Sequence, residues 1–265
     1  MKTRLDVYLV DNGYFPTREK AKAAIMAGLV YVNGQISDKA GNMIDPEAPV
    51  EVRGDSCPYV SRGGYKLEKA LDVFGIDVSG LSCIDIGSST GGFTDCMLQR
   101  GAASVCAVDV GTNQLDSKLR IDERVDVKEQ YNFRYAKEED FKGPYDFACT
   151  DVSFISLNLI LPPAAMLLKE GAYMVCLIKP QFEAGREQVG KHGIIKDIKV
   201  HKEVIEKVIS YAQNAGFKPL KLDYSPLKGA KGNLEFLILL RKDTDTAVSE
   251  EIDIEAVIDA AHKEE

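Results

Sequence analysis

Two charged residues follow neighbouring strand-like runs of the sequence. Asp151 comes directly after residues 145–150, and Lys179 comes directly after residues 173–178. In an open parallel sheet, groups that follow the strands meet at the carboxyl edge, where such folds place their sites. An ammonium crowded there by a second cation is a candidate general base on a hydroxyl group. The alternative is a surface lysine that caps a strand.

The residues around Asp151 narrow the target of such chemistry. Enzymes that methylate exocyclic amines usually carry Asn or Asp followed by Pro-Pro and an aromatic residue, whereas this chain has Asp151-Val-Ser-Phe154. A hydroxyl acceptor is therefore favoured. Lys66 and Glu235 gain significance beside Asp151 and Lys179, because Glu235 lies in a strand-like run where an unpaired buried acid would be costly.

A glycine-rich turn follows the first strand-like run, residues 83–86, and opens a helix, which is where a doubly wound fold binds its nucleotide. Its Gly-x-x-x-Gly-Gly spacing lacks the second glycine that lies beside a pyrophosphate in dinucleotide enzymes. S-adenosylmethionine has no phosphate, and we predict it as the cofactor; a merely structural turn is the alternative. The loop residues predicted to bind it are Asp85, Gly87, Ser88, Ser89, Thr90, Gly91, Gly92, Phe93 and Thr94.

Further residues extend the predicted cofactor site beyond this loop. Asp109 ends the second strand, about 20 residues past the loop, where a carboxylate can accept both ribose hydroxyls. Glu129 and Asn132 follow a third strand and are expected on the adenine side. Val110 and Asp151 complete the predicted set.

Strand-like runs alternate with helical segments from residue 83 onward. The runs over 83–86, 105–108, 147–149 and 173–178 predict an α/β fold with a doubly wound, mostly parallel Rossmann-like sheet. Two later runs, 220–224 and 234–240, are expected to form an antiparallel end. A helix over 65–74, after Pro58 and Gly63-Gly64, is predicted to begin this domain.

Residues 1–60 are predicted to form a separate small domain. Helices are expected over 5–11 and 17–27, the second with Thr17 as N-cap and Gly28 as its stop. Asn33-Gly34 then predicts a tight turn between strands. The expected domains are therefore 1–60, 61–242 and an acidic tail, 243–265, whose helix begins with Ser249 as N-cap and docks on the larger domain.

Charge and composition bear on whether the protein binds RNA, a metal ion or a membrane. The net charge is −8, and the tail alone, with nine acidic residues and one lysine, accounts for it, so a local basic RNA face elsewhere is not excluded. Neither the six cysteines nor His192, His201 and His262 have metal-ligand spacing, so we expect no metal. No apolar run reaches the roughly 18–20 residues that span a bilayer, and the N-terminus lacks a secretory apolar segment; we expect a cytoplasmic protein without membrane contact.

Lys66, Asp151, Lys179 and Glu235 occur in the order and contexts of the Lys-Asp-Lys-Glu tetrad of FtsJ-type ribose 2′-O-methyltransferases. The chain as a whole resembles the TlyA family of hemolysin-like ribosomal RNA methyltransferases, which join an S4-like domain to a class I methyltransferase domain. The motifs that carry the resemblance are Ser61-Arg-Gly-Gly-Tyr-Lys-Leu67, Asp151-Val-Ser-Phe-Ile-Ser156, Lys179-Pro-Gln-Phe-Glu183 and Gly185-Arg-Glu-Gln-Val-Gly-Lys191.

The resemblance implies methylation of cytidine ribose in ribosomal RNA or ribosomal subunits. Lys179 would activate the 2′-hydroxyl, Asp151 and Lys66 would orient it, and Glu235 would hold the lysines in place. The linker from Asp55 to Val60 lacks the tryptophan-rich motif of some members, so linker-controlled cofactor binding is not implied. A non-catalytic RNA-binding or ribosome-assembly factor, a membrane-active hemolysin and a nicotinamide-dependent oxidoreductase remain as alternatives.

Several residues match the S4-type RNA-binding pattern. Arg18 and Lys22 are four apart on the second predicted helix and would face phosphates together, although such charges are more often only a solvated helix face. Residues 1–55 hold seven basic and eight acidic side chains, so RNA affinity should depend on their pattern rather than on bulk charge. The predicted RNA-binding residues are Arg4, Arg18, Lys20, Lys22, Asn33 and Arg62.

Overall fold

The computed structural model of the chain describes residues 2–15, 17–26, 28–52, 57–185, 187–190, 193–229, 232–249 and 252–263. The chain divides into two compact units, Met1–Pro58 and Tyr59–Glu265. Some sequence predictions fall outside the described residues: Ala27 at the end of the second helix, Asp55 and Ser56 in the linker, Arg186 and Lys191 in the 185–191 motif, and His192.

The first unit packs two helices on short antiparallel strands. Thr17 caps the second helix by accepting a hydrogen bond from the Lys20 N–H (3.3 Å), and Gly28 follows it at φ 72°, both as predicted. Asn33 and Gly34, at φ 52° and 76°, form the predicted tight turn between β2 and β3. The elements are α1 (Leu5–Asp11), α2 (Arg18–Met26), β1 (Thr3–Arg4), β2 (Val30–Val32), β3 (Gln35–Ile36), β4 (Met43–Ile44) and β5 (Val50–Val52).

The second unit is built on a seven-stranded sheet, as the alternating pattern predicts. Its strands are β6 (Ser82–Ile86), β7 (Ser104–Val108), β8 (Val125–Lys128), β9 (Tyr145–Thr150), β10 (Leu168–Ile178), β11 (Phe217–Tyr224) and β12 (Phe236–Lys242). The spatial order is β11-β12-β10-β9-β6-β7-β8. Five neighbouring strands, β10, β9, β6, β7 and β8, run parallel, and β12 lies antiparallel between β10 and β11.

The reversed direction of β12 brings one more residue to the functional edge of the sheet. A residue that follows a parallel strand lies at the carboxyl edge, and so does a residue that precedes an antiparallel strand. Asp151 follows β9, Lys179 follows β10, and Glu235 precedes β12. Three residues far apart in sequence therefore meet at one edge.

Helices surround this sheet, and their apolar faces fill its core. Val204, Ile205 and Val208 of the longest helix are buried. The helices are α3 (Gly63–Phe74), α4 (Gly92–Gln99), α5 (Ser117–Arg120), α6 (Leu161–Leu167), α7 (Pro180–Glu183), α8 (Ile198–Asn214) and α9 (Ile254–Lys263), with 3₁₀ turns at Phe133–Tyr135, Glu138–Asp140 and Leu157–Leu159. None of the helices in the described part of the chain is long and apolar enough to cross a membrane.

The C-terminal helix packs on β11 and α8, with Ile258 and Ala261 buried. The predicted N-cap, Ser249, is wrong. Asp253 caps the helix, because its carboxylate accepts a hydrogen bond from the Ala256 N–H (3.0 Å). The Ser249 N–H instead donates to the Pro219 carbonyl (3.0 Å), so the chain reaches β11 before the helix starts.

Candidate active site

A chain of ion pairs joins the four predicted catalytic residues. The Lys66 ammonium lies 2.7 Å from the Glu235 carboxylate and 3.4 Å from that of Asp151. Asp151 uses its other oxygen for Lys179, at 2.5 Å. The two lysine side chains are only 12% and 10% exposed, so both charges are largely removed from water. Asp151 is thus the bridge between the lysines, and Glu235 contacts Lys66.

Lys66 is held from two sides. It lies in the first two turns of α3, whose Leu67, Ala70, Leu71 and Phe74 are buried. Burial lowers the pKa of Lys66, but the charges of Asp151 and Glu235 outweigh burial and raise the pKa above its usual value. Glu235 is itself fixed against Gly229, where an added Cβ would lie 2.0 Å from a carboxylate oxygen.

Ser153 is a site residue that the sequence reading missed. Its hydroxyl oxygen lies 2.9 Å from the Lys179 nitrogen, and the residue lines the same cavity as Lys179. Its position two residues after Asp151, in the loop that follows β9, was the feature of the sequence that could have identified it. Lys179 therefore has two neighbours, one charged and one neutral.

A cavity of about 200 Å³ lies between this charged cluster and the glycine-rich loop. Most of the predicted cofactor residues line it: Asp85, Gly87, Ser88, Ser89, Thr90, Gly92, Phe93 and Asp151. Ser61 and Gly63, at the start of α3, line it as well and were not predicted. Four segments therefore line the cavity: the loop after β6, the start of α3, the residues after β9 and the residue after β10.

Two glycines keep this cavity and its wall closely packed. Gly87 has φ 84°, and an added Cβ would lie 2.9 Å from a Val152 methyl group. An added Cβ on Gly92 would lie 2.4 Å from the Ser61 hydroxyl oxygen and 2.8 Å from the Gly64 nitrogen. The helix that carries Lys66 thus starts in direct contact with the cofactor loop.

Asp85 is a buried acid at the end of β6. Its carboxylate accepts a hydrogen bond from the Thr94 hydroxyl (2.6 Å), so these two predicted cofactor residues contact each other. Burial raises the pKa of Asp85 to about 7, and the hydrogen bonds from Thr94 oppose that rise only in part. An acid with a raised pKa therefore lines the cavity.

Asp109 braces the glycine-rich loop. Its two carboxylate oxygens accept hydrogen bonds from the N–H groups of Ser89 (2.8 Å) and Gly111 (2.7 Å). A carboxylate oxygen has more than one acceptor site, so Asp109 keeps acceptor capacity for the ribose hydroxyls, and that contact stays a prediction. The neighbouring Val110 is exposed, at the surface beside this loop.

Glu129 and Asn132 have local partners. The Glu129 carboxylate accepts hydrogen bonds from Arg120 (2.6 Å) and from the N–H groups of Asn113 (2.9 Å) and Gln114 (3.1 Å). The bond from Arg120 is the largest cause that lowers the pKa of Glu129, to about 2. Asn132 caps the following 3₁₀ turn, and the adenine contacts of both residues stay predictions.

An exposed aromatic ring lies in the loop after β9, one residue after Ser153. Phe154 is 90% exposed and has φ 63°, a left-handed conformation that is unusual for a bulky residue. Its ring lies 4.8 Å, between centroids, from that of Phe182, three residues after Lys179. The loop after β9 thus presents a flat apolar face to solvent.

Two of the predicted RNA-binding residues in the first unit belong to a second cluster of ion pairs. Arg4 (3.0 Å) and Arg18 (2.8 Å) both bind the buried carboxylate of Asp6. The hydrogen bonds from Arg4 and Arg18 hold the pKa of Asp6 well below its usual range, despite its burial. Lys20 and Asn33 are exposed, and Lys22 is half-buried.

Arg62, the remaining predicted RNA contact, belongs to the second unit, where it is exposed and directly precedes α3. Within the described ranges, no group of three or more His, Cys, Asp and Glu side chains could hold a metal ion.

Comparison with known proteins gives a consistent assignment for both units. Residues 59–242 match the model of the FtsJ-like methyltransferase family, and residues 3–50 match that of the S4 domain. YqxC of Bacillus subtilis, named as a candidate rRNA methyltransferase, is 53% identical and covers 99% of this chain and 95% of its own. The 16S/23S rRNA (cytidine-2′-O)-methyltransferase TlyA of Mycobacterium tuberculosis is 39% identical, with 99% and 97% covered.

A solved structure from Streptococcus thermophilus, described as a candidate hemolysin, is 52% identical to this chain. It superposes with a TM-score of 0.81 and covers 99% of this chain and 96% of that one. The similarity therefore extends through both units.

Proposed function

Since the chain belongs to the TlyA family of FtsJ-like methyltransferases with an S4 domain, we propose that it methylates the ribose 2′-hydroxyl of a cytidine in ribosomal RNA. The chain is a methyltransferase, and S-adenosylmethionine is its methyl donor. The observation that carries the proposed hydroxyl target is the pair of shielded lysines bridged by Asp151 beside the cofactor loop.

The residues around the cavity fit S-adenosylmethionine. Gly87 and Gly92 leave no side chain where the loop approaches its neighbours, and hydroxyl groups of Ser88, Ser89 and Thr90 line the cavity. When bound, the cofactor supplies an electrophilic methyl group on its sulfonium. The protein must then bring a hydroxyl oxygen into line with that methyl group and remove its proton.

In this proposal Lys179 takes that proton. In its neutral form the amine accepts the proton of the 2′-hydroxyl, and Asp151, 2.5 Å away, stabilises the ammonium that results. Lys66, whose pKa is raised by Asp151 and Glu235, remains charged and favours the oxyanion as it develops. Glu235 keeps Lys66 in place, and Ser153 orients the Lys179 nitrogen.

Separate parts of the chain offer groups that can bind the base and the backbone of the substrate RNA. The exposed ring of Phe154 offers a face on which an unstacked base can stack, in the loop whose Ser153 contacts Lys179. Arg4 and Arg18 in the S4 unit retain guanidinium N–H groups that are not used by Asp6 and can donate to phosphates. These features support a nucleotide within RNA over a small-molecule alcohol.

The test is transfer of labelled methyl from S-adenosylmethionine to purified ribosomal subunits and to naked ribosomal RNA. Wild type and Lys179→Ala are run in parallel, and the labelled nucleoside is identified after digestion. We expect 2′-O-methylcytidine with the wild type and a loss on the order of 10²–10⁴-fold in the variant, because a general base contributes about that much. Cofactor affinity, measured by calorimetry, should be unchanged.

Other outcomes would redirect the proposal. Cofactor binding without label on any RNA would favour the non-catalytic assembly factor. Undiminished transfer by Lys179→Ala would remove Lys179 as the base. Label on a base nitrogen or carbon, rather than on ribose, would contradict the hydroxyl target.

A further inference from the structure

Two loops that leave neighbouring strands are joined side by side at three levels. Strands β9 and β10 are parallel neighbours, so residues 151–157 and 179–183 leave the sheet in the same direction; they are called the first and the second loop, and the second contains the short helix α7. The first level is the contact of Lys179 with Asp151 and Ser153, and the second is the ring contact between Phe154 and Phe182. The third level is a buried acid, Glu183, which has no role in the chemistry described above.

Glu183 ties the two loops together through both carboxylate oxygens. One oxygen accepts a hydrogen bond from the Ser156 hydroxyl (2.7 Å), and the other accepts one from the Leu157 N–H (2.7 Å). Its own carbonyl accepts a hydrogen bond from Lys207 of α8 (2.8 Å). The acid therefore connects the end of the first loop to the second loop and to a core helix.

Burying an acid at this position is unfavourable by itself. Burial raises the pKa of Glu183, and the hydrogen bonds from Ser156 and Leu157 and the charge of Lys207 counteract that only in part. A carboxylate retained under these conditions needs a compensating role. The hydrogen bonds of Glu183 hold the two loops in a fixed position relative to each other.

We propose that Glu183 is a positioning residue that sets the spacing between Lys179 and the exposed ring of Phe154. The inference rests on the proposed function, in which one nucleotide meets both groups. Phe154 has a strained backbone, at φ 63°, and its side chain is almost entirely in solvent, so its own packing does little to hold it. Glu183 holds this segment two and three residues later, through the Ser156 hydroxyl and the Leu157 N–H.

The test compares Glu183→Ala, which removes both hydrogen bonds, with Glu183→Gln. Glutamine can still accept from the Leu157 N–H and can donate its amide to the Ser156 oxygen. Ile258→Ala serves as the control for lost stability, because Ile258 is a buried residue of the C-terminal helix and not of either loop. The melting temperature is measured for all three variants.

In the kinetic measurement, Glu183→Ala should lower kcat on the order of 100-fold, the size expected when a reacting group is displaced by about 1 Å. Its affinity for S-adenosylmethionine should stay close to that of the wild type. Glu183→Gln should recover most of kcat, and Ile258→Ala should lose stability without losing kcat. An unchanged kcat in Glu183→Ala, or equal losses in the two Glu183 variants, would overturn the proposal.

A second measurement needs no RNA and no catalysis. The chain contains no tryptophan, so Phe154→Trp introduces a single reporter at the tip of the first loop. In that background, Glu183→Ala should lower the fluorescence anisotropy of the tryptophan, and Glu183→Gln and Ile258→Ala should not. An anisotropy that Glu183→Ala leaves unchanged would contradict the positioning role. If the wild type methylates no RNA, the proposed function fails while this measurement still decides whether Glu183 orders the loop.

Discussion

Each unit of the molecule contains one aspartate that bridges two cations, but the two clusters are buried in opposite ways. In the S4 unit the Asp6 carboxylate is fully buried, whereas Arg4 and Arg18 are 48% and 49% exposed. In the methyltransferase unit Lys66 and Lys179 are shielded, and Asp151 is the more exposed member. The same charge pattern thus presents its cations to solvent in one unit and withholds them in the other.

The difference follows from what each cation can do. Guanidinium groups stay charged and offer several directed N–H donors, which suits contact with phosphates at a surface. An amine can lose and regain a proton, and it does so most effectively where water is excluded. The comparison teaches how a binding cluster differs from a reactive one. In the binding cluster the aspartate is buried and the cations are exposed, and in the reactive cluster the cations are shielded.

The largest expected effect comes from removing the bridging charge in each cluster. Asp151→Asn should lower kcat on the order of 100-fold or more, because both lysines lose their shared counter-charge at the reacting edge. Asp6→Asn should leave kcat at saturating RNA unchanged and weaken RNA binding instead. Methyl transfer measured across RNA concentrations separates the two. Equal effects on kcat would break the comparison.

The next effect concerns salt. Arg18→Ala should raise KM for RNA about tenfold and reduce the slope of log affinity against log salt by about 0.7–0.9, the value for one lost phosphate contact. Lys66→Ala, the matched change in the other cluster, should lower kcat and leave that slope as it is. RNA binding between 50 and 300 mM salt would test this, and a reduced slope in Lys66→Ala would contradict it.

The two units should also respond oppositely to pH. Burial raises the pKa of Asp85 to about 7, so the folded second unit keeps a proton that the unfolded chain releases above about pH 4. Its stability therefore falls as the pH rises from about 4 through 7. The pKa of Asp6 is instead held below its usual range, so the stability that Asp6 contributes is present above about pH 4 and is lost below it.

Asp85→Asn tests the first of these dependences, because asparagine still accepts the Thr94 hydrogen bond. Relative to the wild type, its unfolding free energy should increase with pH, by up to ~1.4 kcal/mol for each unit of the pKa shift. Urea denaturation between pH 5 and 8 measures the difference. A constant difference across that range would show that Asp85 titrates normally in the folded protein.

The smallest effect should come from Lys20. Its side chain is exposed on α2, and a single flexible ammonium in water contributes little binding energy. Lys20→Ala should therefore change KM for RNA by no more than about twofold. A rise in KM as large as that of Arg18→Ala would mean that the ion pair with Asp6 does not make Arg18 a better RNA contact than Lys20.

Much of the fold follows from local patterns in the sequence. The strand-like runs over 83–86, 105–108 and 173–178 lie within observed strands because they are short and apolar on both sides of a buried sheet. The caps at Thr17 and Gly28 depend on single residues and were predictable for that reason. The place of β12 between β10 and β11 depends on long-range pairing, which no local pattern specifies.

The site was predictable where its residues follow strands. Asp151 and Lys179 could be found from position alone, whereas Lys66 and Glu235 became meaningful only beside them. Ser153 and Glu183 were not singled out, because a single serine in a loop or a single acid at the end of a short helix has no periodic signal. Their importance arises from a second loop that folds against the first.

The late position of β12 in the chain has a consequence for how the enzyme is made. Glu235 pairs with Lys66 across 169 residues, and its strand must insert between β10 and β11. Ribosomes synthesise chains from the N-terminus, and domains generally fold as units when they emerge. The S4 unit, with short-range contacts, can fold early, but the charged cluster cannot be completed until Glu235 and β12 have left the ribosome. A nascent chain of this enzyme can therefore acquire its RNA-binding unit well before it acquires the ability to react.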